Sequence, residues 1–425
     1  MSELPKGWVF SSLLGIVNLH DSQRIPLNQK QRAERQGAYP YYGANGQVDS
    51  IDGFIFDGNY ILLAEDGGYF DHPFKGVAYE VSGRFWVNNH AHILSPCSEI
   101  PIRFLFYVLN SLDWMPYVGG STRLKLTQES MRRVLIPLPP LNEQRRIVAK
   151  LDRLFARSRC AREELGRVSG LVQRYKQVLL VAATSGEFSE DWQTVDIQSV
   201  AKVGTGSTPL KSNSSYYADD GIPWITSAAT GQPFVTSASE FVTEAAISDH
   251  RLKKYPVGTL LVAMYGEGKT RGQVTELGIE ATINQACAAI VVDETLVLKE
   301  YLKLSLKANY LEMRELAEGG NQPNLNLSKI KNFPVVLPSL QQQKKIVKRV
   351  EKLFKVIDII EQEHQKASKL LDRLEKATLS KAFRGELVPQ DPNDEPAAVL
   401  LERIQAQRQT QPKRKAKSTR KPKAN

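Results

Sequence analysis

The sequence predicts two globular segments of mixed α/β (α+β) class that alternate with two long helices, in a chain built as a tandem repeat. The block Leu138–Val148 returns as Leu337–Val347, 199 residues later, and the ungapped match extends over 50 residues, of which 15 are identical. After each block, apolar residues recur with the 3.5-residue spacing of a coiled coil. The segments before the blocks contain short apolar runs separated by Gly, Asn, Asp and Pro, as strands and turns do. A period of this length is too long for a solenoid and indicates two fused half-proteins related by an approximate two-fold axis.

The composition is that of a soluble globular protein without a disulfide framework. The chain has 425 residues, which is more than one core holds, and 42% of them are hydrophobic and 24% charged. Its three cysteines, Cys97, Cys160 and Cys287, are far apart and odd in number, which is typical of a reducing cytoplasm. We find neither a secretory signal nor an apolar run of the roughly 20 residues that a membrane helix needs. We therefore expect a cytoplasmic protein without a membrane partner.

The net charge of +10 is concentrated at the C-terminus, where residues 410–425 carry seven basic residues and no acid. The remaining residues, 1–409, hold only +3, so bulk charge does not identify a nucleic-acid-binding surface on the folded part. The tail has no apolar residues to bury, and we expect it to be disordered. Two interpretations stay open, a non-specific arm that attracts phosphate and a solvated tail that aids solubility.

Each long helix carries a predicted apolar seam. Steps of four and three residues from Ile147 meet ten apolar residues in eleven positions, and the same steps from Ile346 meet eight in eleven. If the two-fold symmetry holds, the two helices pair antiparallel as a coiled coil. The seam residues are Ile147, Leu151, Leu154, Leu165, Val168, Val172, Tyr175, Leu179, Ile346, Val350, Leu353, Ile357, Ile360, Leu371 and Leu374.

Local residues predict where the helices begin and end. Pro139 and Pro140 keep the first helix from starting earlier, and Ser339 with Gln342 forms a possible capping box for the second. Gly186 and Gly385 stand where a left-handed C-terminal cap is expected. The glycines at 166 and 170 lie inside the first helix, where each costs about 1 kcal/mol relative to alanine.

The two globular segments share short landmark sequences, and the stretches between these landmarks diverge. We predict strands at 51–56, 60–64, 86–87, 92–94, 223–226, 259–264 and 288–292, and helices at 102–111 and 298–316. Asn89-His-Ala91 aligns with Asn284-Gln-Ala286, and Gly119-Gly120 aligns with Gly319-Gly320. A common scaffold with diverged loops is the pattern of two different recognition surfaces.

The motifs for catalysis are incomplete. Gly266-Glu-Gly268-Lys269-Thr270 resembles the end of a phosphate-binding loop, but Ala263 occupies the place of its first glycine. Gly204-Thr-Gly206 fails the dinucleotide fingerprint, because Pro209 follows where the last glycine belongs. His90 and His92 could share a strand face and hold a metal, although core or loop histidines are favoured. We therefore predict no catalytic residue and no metal site.

The loops do contain side chains suited to base edges and phosphates. Arg, Lys, Asn, Gln and Thr are the usual partners of these groups, although many such residues are merely exposed. The candidate DNA contacts are Arg24, Lys30, Tyr41, Tyr42, Asn45, Gln47, Thr205, Ser207, Thr208, Lys211, Ser227, Lys269, Thr270 and Arg271.

Taken together, the chain resembles the specificity subunit of a type I restriction–modification enzyme. The resemblance rests on the paired Leu-Pro-x-Leu-x-x-Gln-x-x-Ile-Val blocks, on Ala382–Leu387 and on Pro396–Gln405, and it covers nearly the whole chain. It implies two target-recognition domains, at 1–137 and 189–336, and two spacer helices, at 138–188 and 337–387, followed by an extension at 388–425 with a short helix and the basic tail.

The resemblance also implies the function and the partners. Each recognition domain is expected to read half of a bipartite double-stranded DNA target, and the helix pair to set the spacer. Two methyltransferase subunits, and through them restriction subunits, are expected to dock on this non-catalytic chain. The family places S-adenosylmethionine, ATP and magnesium on those partners and not on this chain. The alternatives are a coiled-coil adaptor without DNA contact and a self-contained DNA-modifying enzyme.

Overall fold

A computed structural model of the chain describes residues 4–72, 75–97, 99–186, 192–266, 269–316 and 324–410. The basic tail and the second pair of landmark glycines, Gly319 and Gly320, lie outside the described residues. The chain divides into two compact units, residues 1–165 with 365–425 (unit 1) and residues 166–364 (unit 2). Each unit therefore contains one globular segment together with part of both long helices. Within the described residues, no helix is both long and apolar enough to cross a membrane.

The first globular segment is built on two four-stranded sheets. Its elements are β1 (Val9–Ser12), α1 (Leu13–Ile16), β2 (Val17–Leu19), α2 (Gln29–Ala33), β3 (Gln36–Gly43), β4 (Gly46–Ile51), β5 (Phe56–Asp57), β6 (Tyr60–Ala64), β7 (Ala78–Val81), β8 (Arg84–Val87), β9 (Ala91–Pro96), α3 (Ile102–Ser111), β10 (Val118–Gly119), β11 (Lys125–Leu126), α4 (Gln128–Arg133) and β12 (Leu135–Leu138). The core sheet has the antiparallel order β2-β9-β6-β7, and the second sheet has the order β4-β3-β8-β5. Helix α5 (Leu141–Thr184) follows directly.

The second globular segment repeats this plan. Its elements are β13 (Gln193–Asp196), α6 (Ile197–Val200), β14 (Ala201–Thr205), β15 (Tyr217–Ala218), β16 (Ile222–Ile225), β17 (Phe234–Val235), β18 (Phe241–Val242), α7 (Glu244–His250), β19 (Leu260–Ala263), β20 (Val274–Leu277), β21 (Thr282–Ile283), β22 (Cys287–Val292), α8 (Lys299–Ala308), α9 (Tyr310–Glu315), α10 (Leu327–Lys331) and β23 (Pro334–Leu337). Its core sheet has the order β14-β22-β19-β20-β17, and its second sheet has the order β15-β18-β16-β21. Helices α11 (Leu340–Phe383) and α12 (Ala397–Thr410) complete the described chain.

The two segments share one scaffold and differ in what they insert into it. Strand β1 pairs with β12 as β13 pairs with β23, and the three central strands β9, β6 and β7 correspond to β22, β19 and β20. The stretch between β2 and β6 differs from that between β14 and β19 in its elements and in its sheet order. The structure also corrects the alignment of the asparagine landmark, Asn89-His-Ala91 with Asn284-Gln-Ala286, by one residue. Since Ala91 pairs with Ala64 and Cys287 pairs with Ala263, the residue equivalent to Asn284 is Asn88 and not Asn89.

Most predicted elements are present, and two predictions were wrong. The strand at 60–64 and the helix at 102–111 have the predicted bounds. The predicted strand at 51–56 does not exist as one element, because β4 ends at Ile51 and β5 begins at Phe56. The predicted helix at 298–316 is broken at Asn309, whose φ of −91° and ψ of 21° are not helical.

The core of unit 1 joins distant parts of the chain. Ile147 and Leu151, at the start of α5, are buried together with Leu400 and Ile404 of α12. Burying a leucine or isoleucine of this kind stabilises the fold by about 1.5–3 kcal/mol. Arg408 of α12 adds hydrogen bonds of 2.7 Å to the carbonyl of Leu14 and 2.6 Å to that of Val17. The end of the described chain is therefore an integral part of the first globular segment.

The repeated sequence block has a structural explanation at its glutamine. The side chains of Gln144 and Gln343 are both fully buried. Each amide donates to the carbonyl of the proline five residues earlier, Pro139 at 2.9 Å and Pro338 at 2.8 Å. The bond satisfies a carbonyl beside each long helix that would otherwise be costly to bury. The capping box predicted for the second helix is confirmed by the reciprocal bonds between Ser339 and Gln342.

The two long helices run antiparallel where they contact each other in each unit. In unit 1, Ser158 of α5 hydrogen-bonds to Glu375 of α11, and Arg162 lies 2.7 Å from Asp372. Four residues forward on α5 therefore correspond to three residues backward on α11. In unit 2, Gln173 lies 3.2 Å from Glu361 and Lys176 lies 3.4 Å from Asp358, with the same reversal.

The predicted seam is wrong at three positions. Tyr175, Ile360 and Leu374 are exposed, whereas Val172, Val350 and Ile357 are buried. A strict 3.5-residue period drifts by about 20° per heptad relative to a straight helix with 3.6 residues per turn. After Ile357 the next half-buried positions of α11 are Glu361, His364, Ala367, Ser368, Leu371 and Asp372, so burial passes to Glu361 and leaves Ile360 outside.

The predicted glycine caps are confirmed. Gly186 and Gly385 have φ values of 77° and 75°, in the left-handed region that residues with a side chain avoid. At Gly385 a Cβ atom would also lie 2.4 Å from Cγ of Pro5. The helical glycines Gly166 and Gly170 differ from the caps, since a Cβ at either would meet nothing within 4 Å.

Alanine substitutions at these glycines should have opposite effects on stability. We expect Gly385→Ala to lower the free energy of unfolding by about 1–2 kcal/mol or more, because alanine is strained at positive φ. Gly166→Ala and Gly170→Ala should each raise it by about 0.5–1 kcal/mol, because alanine favours the helix. Urea denaturation measures both. If Gly166→Ala and Gly170→Ala lowered the free energy of unfolding, the conclusion that these glycines have free space around them would be wrong.

Candidate functional site

Few of the candidate DNA contacts in unit 1 have a side chain free at the surface. Lys30 is exposed on α2, and Gln47 is exposed but donates to the carbonyl of Asp49 at 3.1 Å. Tyr42 is half-buried and packs edge-on against Phe85. The side chain of Tyr41 is fully buried, and its hydroxyl donates to the carbonyl of Leu27. Tyr41 therefore has no surface to offer to DNA and leaves the candidate set.

Arg24 belongs to a buried network of charges. Its guanidinium donates to Glu65 at 2.7 Å and to the carbonyl of Ala91 at 2.8 Å, and it lies 3.4 Å from Asp21. Because these acceptors occupy the guanidinium inside the segment, Arg24 is a structural residue. The sequence did not distinguish this role, since arginine is common both at DNA surfaces and in buried ion pairs.

His92 completes the network through both of its ring nitrogens. Its Nε2 atom lies 2.9 Å from the carbonyl of Leu126, and its Nδ1 atom lies 2.6 Å from the Asp21 carboxylate. A carbonyl only accepts hydrogen bonds, so Nε2 donates to Leu126, and Nδ1 faces the Asp21 carboxylate. Burial tends to raise the pKa of Asp21, but the bonds from His92 and from the Ile93 N–H, with the charge of Arg24, hold it below its ordinary value.

The network is held together by its own ion pairs and hydrogen bonds. Among the described residues, Asp21, Glu65 and His92 are the group whose ligand atoms lie close enough together for an ion, within 4.8 Å. In this structure Arg24 and His92 contact the Glu65 and Asp21 carboxylates at hydrogen-bond distances. The equivalent scaffold positions in unit 2 are the apolar Met264 and Ala288. His90, which the sequence placed beside His92, instead lies 2.7 Å from Asp66.

The structure assembles a surface cluster in unit 1 that sequence reasoning missed. Asn45, at the turn between β3 and β4, donates to the carbonyl of Gly67 at 2.9 Å. Arg123 lies over Gly67 and pairs with Asp66 at 2.7 Å, and Lys125 pairs with Glu65 at 3.3 Å. Both cations are at least half exposed. Because both cations stay at the surface while their carboxylate partners lie largely inside, a phosphate can approach the cations from the solvent.

In unit 2 several candidates lie around the loop that precedes β22. Thr205 is exposed at the end of β14 and donates to the carbonyl of Cys287 at 2.8 Å. The loop residue Asn284 donates its N–H to the carbonyl of Ile225, two residues before Ser227. The loop also receives an N–H from the exposed Tyr265. Asn284, Gln285 and Tyr265 were missed, although Asn284-Gln-Ala286 is one of the repeated landmarks.

The glycine-rich stretch at 204–206 is a close backbone crossing. A Cβ at Gly206 would lie 1.6 Å from the carbonyl oxygen of Ile283, and one at Gly204 would lie 2.5 Å from the Tyr255 hydroxyl. These glycines are required by packing and do not form a nucleotide-binding turn. The candidates Ser207 and Thr208 that follow are half-buried.

The loop that follows β19 is fastened to α9. The carbonyl of Lys269 accepts from the Tyr310 hydroxyl at 2.7 Å, and that of Arg271 accepts from Arg314 at 3.0 Å. The side chain of Lys269 is exposed, whereas Thr270 is half-buried. Residues 267 and 268 of the motif at this loop lie outside the described residues. Lys269 is therefore a cation held on a fixed backbone.

Lys211 lies in different surroundings. Its ammonium is 3.8 Å from Glu240, and both residues line a surface cavity of about 550 Å³ together with Asp219. Two carboxylates beside one lysine make this part of the surface unfavourable for phosphate. Lys211 is the weakest of the exposed candidates.

Comparisons with known proteins agree with this architecture. The model of the family described as type I restriction modification DNA specificity domain matches residues 5–165 and again residues 189–369. The specificity subunit of the type I restriction enzyme EcoBI of Escherichia coli is 28% identical over 459 residues, which cover 95% of this chain and 96% of the relative. The EcoDI specificity subunit of Escherichia coli is 24% identical over 453 residues, 96% of each chain.

The fold is also similar to that of solved structures. A chain from a structure described as showing complex assembly and conformational transition of the type I R-M system has a TM-score of 0.71 and 19% identity, and the match covers 91% of this chain and 100% of that one. The HsdS subunit from Thermoanaerobacter tengcongensis has a TM-score of 0.56 and 18% identity, and the match covers 91% and 98%. At these identities the likeness concerns the fold.

Removing the Asp21 carboxylate should destabilise the chain. Asp21→Asn removes the buried carboxylate that contacts both His92 and Arg24 and leaves Glu65 as their remaining acidic partner, so we expect the free energy of unfolding to fall by about 3 kcal/mol at neutral pH. Because the pKa of Asp21 is lowered in the folded state, its contribution is fully present above the ordinary value of 3.8 and is lost as the pH falls through the folded value. The difference in the free energy of unfolding between the variant and the parent should therefore decrease below about pH 4.

The matched control is Asp57→Asn, which removes an exposed partner of Arg84. Urea denaturation should show a change within about 0.5 kcal/mol for this variant. Equal effects of the two substitutions would show that the buried network is not a source of stability.

Proposed function

Because the chain belongs to the family of type I restriction modification DNA specificity domains, we propose that it is a non-catalytic specificity subunit that reads a bipartite DNA target, one half-site with each globular segment. The observation that carries the proposal is the family match itself, which occurs twice, once on each copy of a shared scaffold. The second sheets of the two copies differ in strand order and in loops. Two unlike surfaces on one scaffold suit two unlike half-sites.

The candidate DNA contacts that remain after the structural description are divided between the two units. In unit 1 they are Lys30, Asn45 and Gln47, with Arg123 and Lys125 added from the structure. In unit 2 they are Thr205, Ser207, Thr208, Ser227, Lys269, Thr270 and Arg271, with Tyr265 and Gln285 added. Amides and hydroxyls contact base edges, while the cations position the backbone phosphates.

The long helices support a spacer role. Each is 44 residues long, and at 1.5 Å per residue it extends over about 66 Å. We infer that α5 and α11 pair along their length as an antiparallel coiled coil. Half-sites on one face of B-DNA recur about every 34 Å, so the two segments need a stiff connection to choose one spacing.

Exposed apolar residues on these helices support two equivalent docking sites for methyltransferase subunits. Leu171 and Tyr175 of α5 are more than half exposed, and so are Leu370 and Leu374 of α11. The second pair stands 199 residues after the first, at the equivalent positions of the repeat. The same apolar pair presented once per half fits two copies of one partner. The proposal assigns S-adenosylmethionine, ATP and magnesium to the partner subunits.

Substitutions at the exposed cations test the DNA contacts. In the complex of the chain with its methyltransferase subunits, Arg123→Ala and Lys269→Ala should each weaken binding to the target and reduce the salt slope of log K by about one, as loss of a phosphate contact does. Lys211→Ala is the control and should change neither quantity. Fluorescence anisotropy across a salt series measures both. Equal binding of the parent complex to all sequences at physiological salt would favour an adaptor and refute the proposal.

Lengthening the helices tests the spacer. Since Arg162 contacts Asp372, seven residues inserted after Ala161 are matched by seven inserted after Asp372. The addition lengthens each helix by about 10 Å, so the preferred spacer should grow by about three base pairs. Binding or methylation of duplexes with graded spacers measures the preference. An unchanged preference would show that another element sets the distance.

Replacing the exposed apolar pairs tests the docking sites. Leu171→Asp with Tyr175→Asp, or Leu370→Asp with Leu374→Asp, should reduce the number of bound methyltransferase subunits from two to one. The two pairs of substitutions together should abolish binding. Val257→Asp, at an exposed apolar residue outside the helices, is the control. Native mass spectrometry gives the stoichiometry, and retention of two subunits by every variant would exclude these sites.

A further inference from the structure

Four ion pairs between the long helices share one polarity. In unit 1, Arg162 of α5 contacts both Asp372 at 2.7 Å and Glu375 at 3.0 Å. In unit 2, Lys176 of α5 contacts Asp358 at 3.4 Å and Glu361 at 3.0 Å. In each of these pairs the cation belongs to α5 and the carboxylates belong to α11.

The repeat places opposite charges at equivalent positions. Arg162 is equivalent to Glu361, and Lys176 is equivalent to Glu375, each 199 residues apart. The other two acids, Asp358 and Asp372, are equivalent to Arg159 and Gln173. Helices that arose by duplication have thus come to carry complementary charges at one set of interface positions.

A pair of identical helices in the same register would meet repulsion. In a pair of two α5 helices, Arg162 would face Lys176 in place of Glu375. In a pair of two α11 helices, Glu361 would face Glu375. The apolar seam does not discriminate in this way, because similar apolar residues line both helices. Like charges at flanking positions of paired helices disfavour a wrong partner, and opposite charges favour the right one.

We propose that these charges select unlike halves for each other, so that α5 fits an α11 and not a second α5. The two N-terminal halves of two chains are thereby kept from forming a symmetric assembly, although the shared scaffold would otherwise permit one. The matching half from another copy of the chain remains a compatible partner. The inference concerns helix pairing alone and holds whether or not the globular segments read DNA.

The test must separate the charges from other contacts between the halves. Residues of α12 lie in the core of unit 1 and hold the C-terminal half to the N-terminal half whatever the helix charges. We therefore compare chains that differ only in the charges. The charge-exchanged variant carries Arg162→Glu and Lys176→Glu on α5, with Asp358→Lys, Glu361→Lys, Asp372→Lys and Glu375→Lys on α11.

The experiment uses the full chain with a protease site between Gly186 and Trp192, cleaved after purification. Parent and charge-exchanged proteins are mixed, unfolded in urea and refolded together, and the pairs of halves are counted by native mass spectrometry. We expect charge-matched pairs to exceed mismatched pairs by about tenfold, since several like charges meet in each mismatch. Equal abundance of the four combinations of an N-terminal with a C-terminal half would overturn the proposal.

A second measurement keeps the test decisive if the halves do not refold. In the uncleaved chain, the substitutions on α5 alone, or on α11 alone, should lower the urea midpoint. Their combination should restore the midpoint toward that of the parent, because complementarity returns with the signs reversed. Additive losses in the combined variant would show that charge complementarity does not govern the pairing.

Discussion

Contact between α5 and α11 is the interaction on which the rest of this structure depends. Unit 1 is made from two separate stretches of chain and unit 2 from a single one, and in both units the two helices contact each other antiparallel. In unit 1 the same junction brings α12 into the core beside the start of α5. The first globular segment therefore shares its apolar interior with residues from the far end of the chain.

The duplicated scaffold shows how much interior chemistry one backbone accommodates. Where unit 1 holds the half-buried Glu65 and the buried His92 in a network of charges, unit 2 has Met264 and Ala288 at the corresponding positions of the scaffold. Burial is costly for a polar group that has no partner. A network of paired charges and an apolar contact both avoid this cost. The strands and the long helices keep their places, and the inserted elements between the first two strands of each core sheet are free to diverge. One scaffold therefore carries two unlike sets of inserted elements.

The sequence predicted the regular elements better than the candidate contacts. The strand at 60–64, the helix at 102–111 and both long helices follow from apolar periodicity and from caps, which act within a few residues of the chain. The helix break at Asn309 and the exposure of Ile360 were not visible in that periodicity. Arg24 and Tyr41 looked like surface residues, because composition does not say whether a polar group finds its partner in the solvent or inside the fold.

The sequence by itself determined the duplication, the two mixed α/β segments and the long helices, since repeats, apolar spacing and cap residues are all local or periodic features. Only the tertiary structure decided which polar residues are buried with partners, as Arg24 is with Asp21 and Glu65, and which remain exposed, as Arg123 and Lys125 do. It also decided that Arg162 and Lys176 face carboxylates of α11. These outcomes depend on contacts between residues tens to hundreds of positions apart, and no local pattern in the chain encodes such a distance.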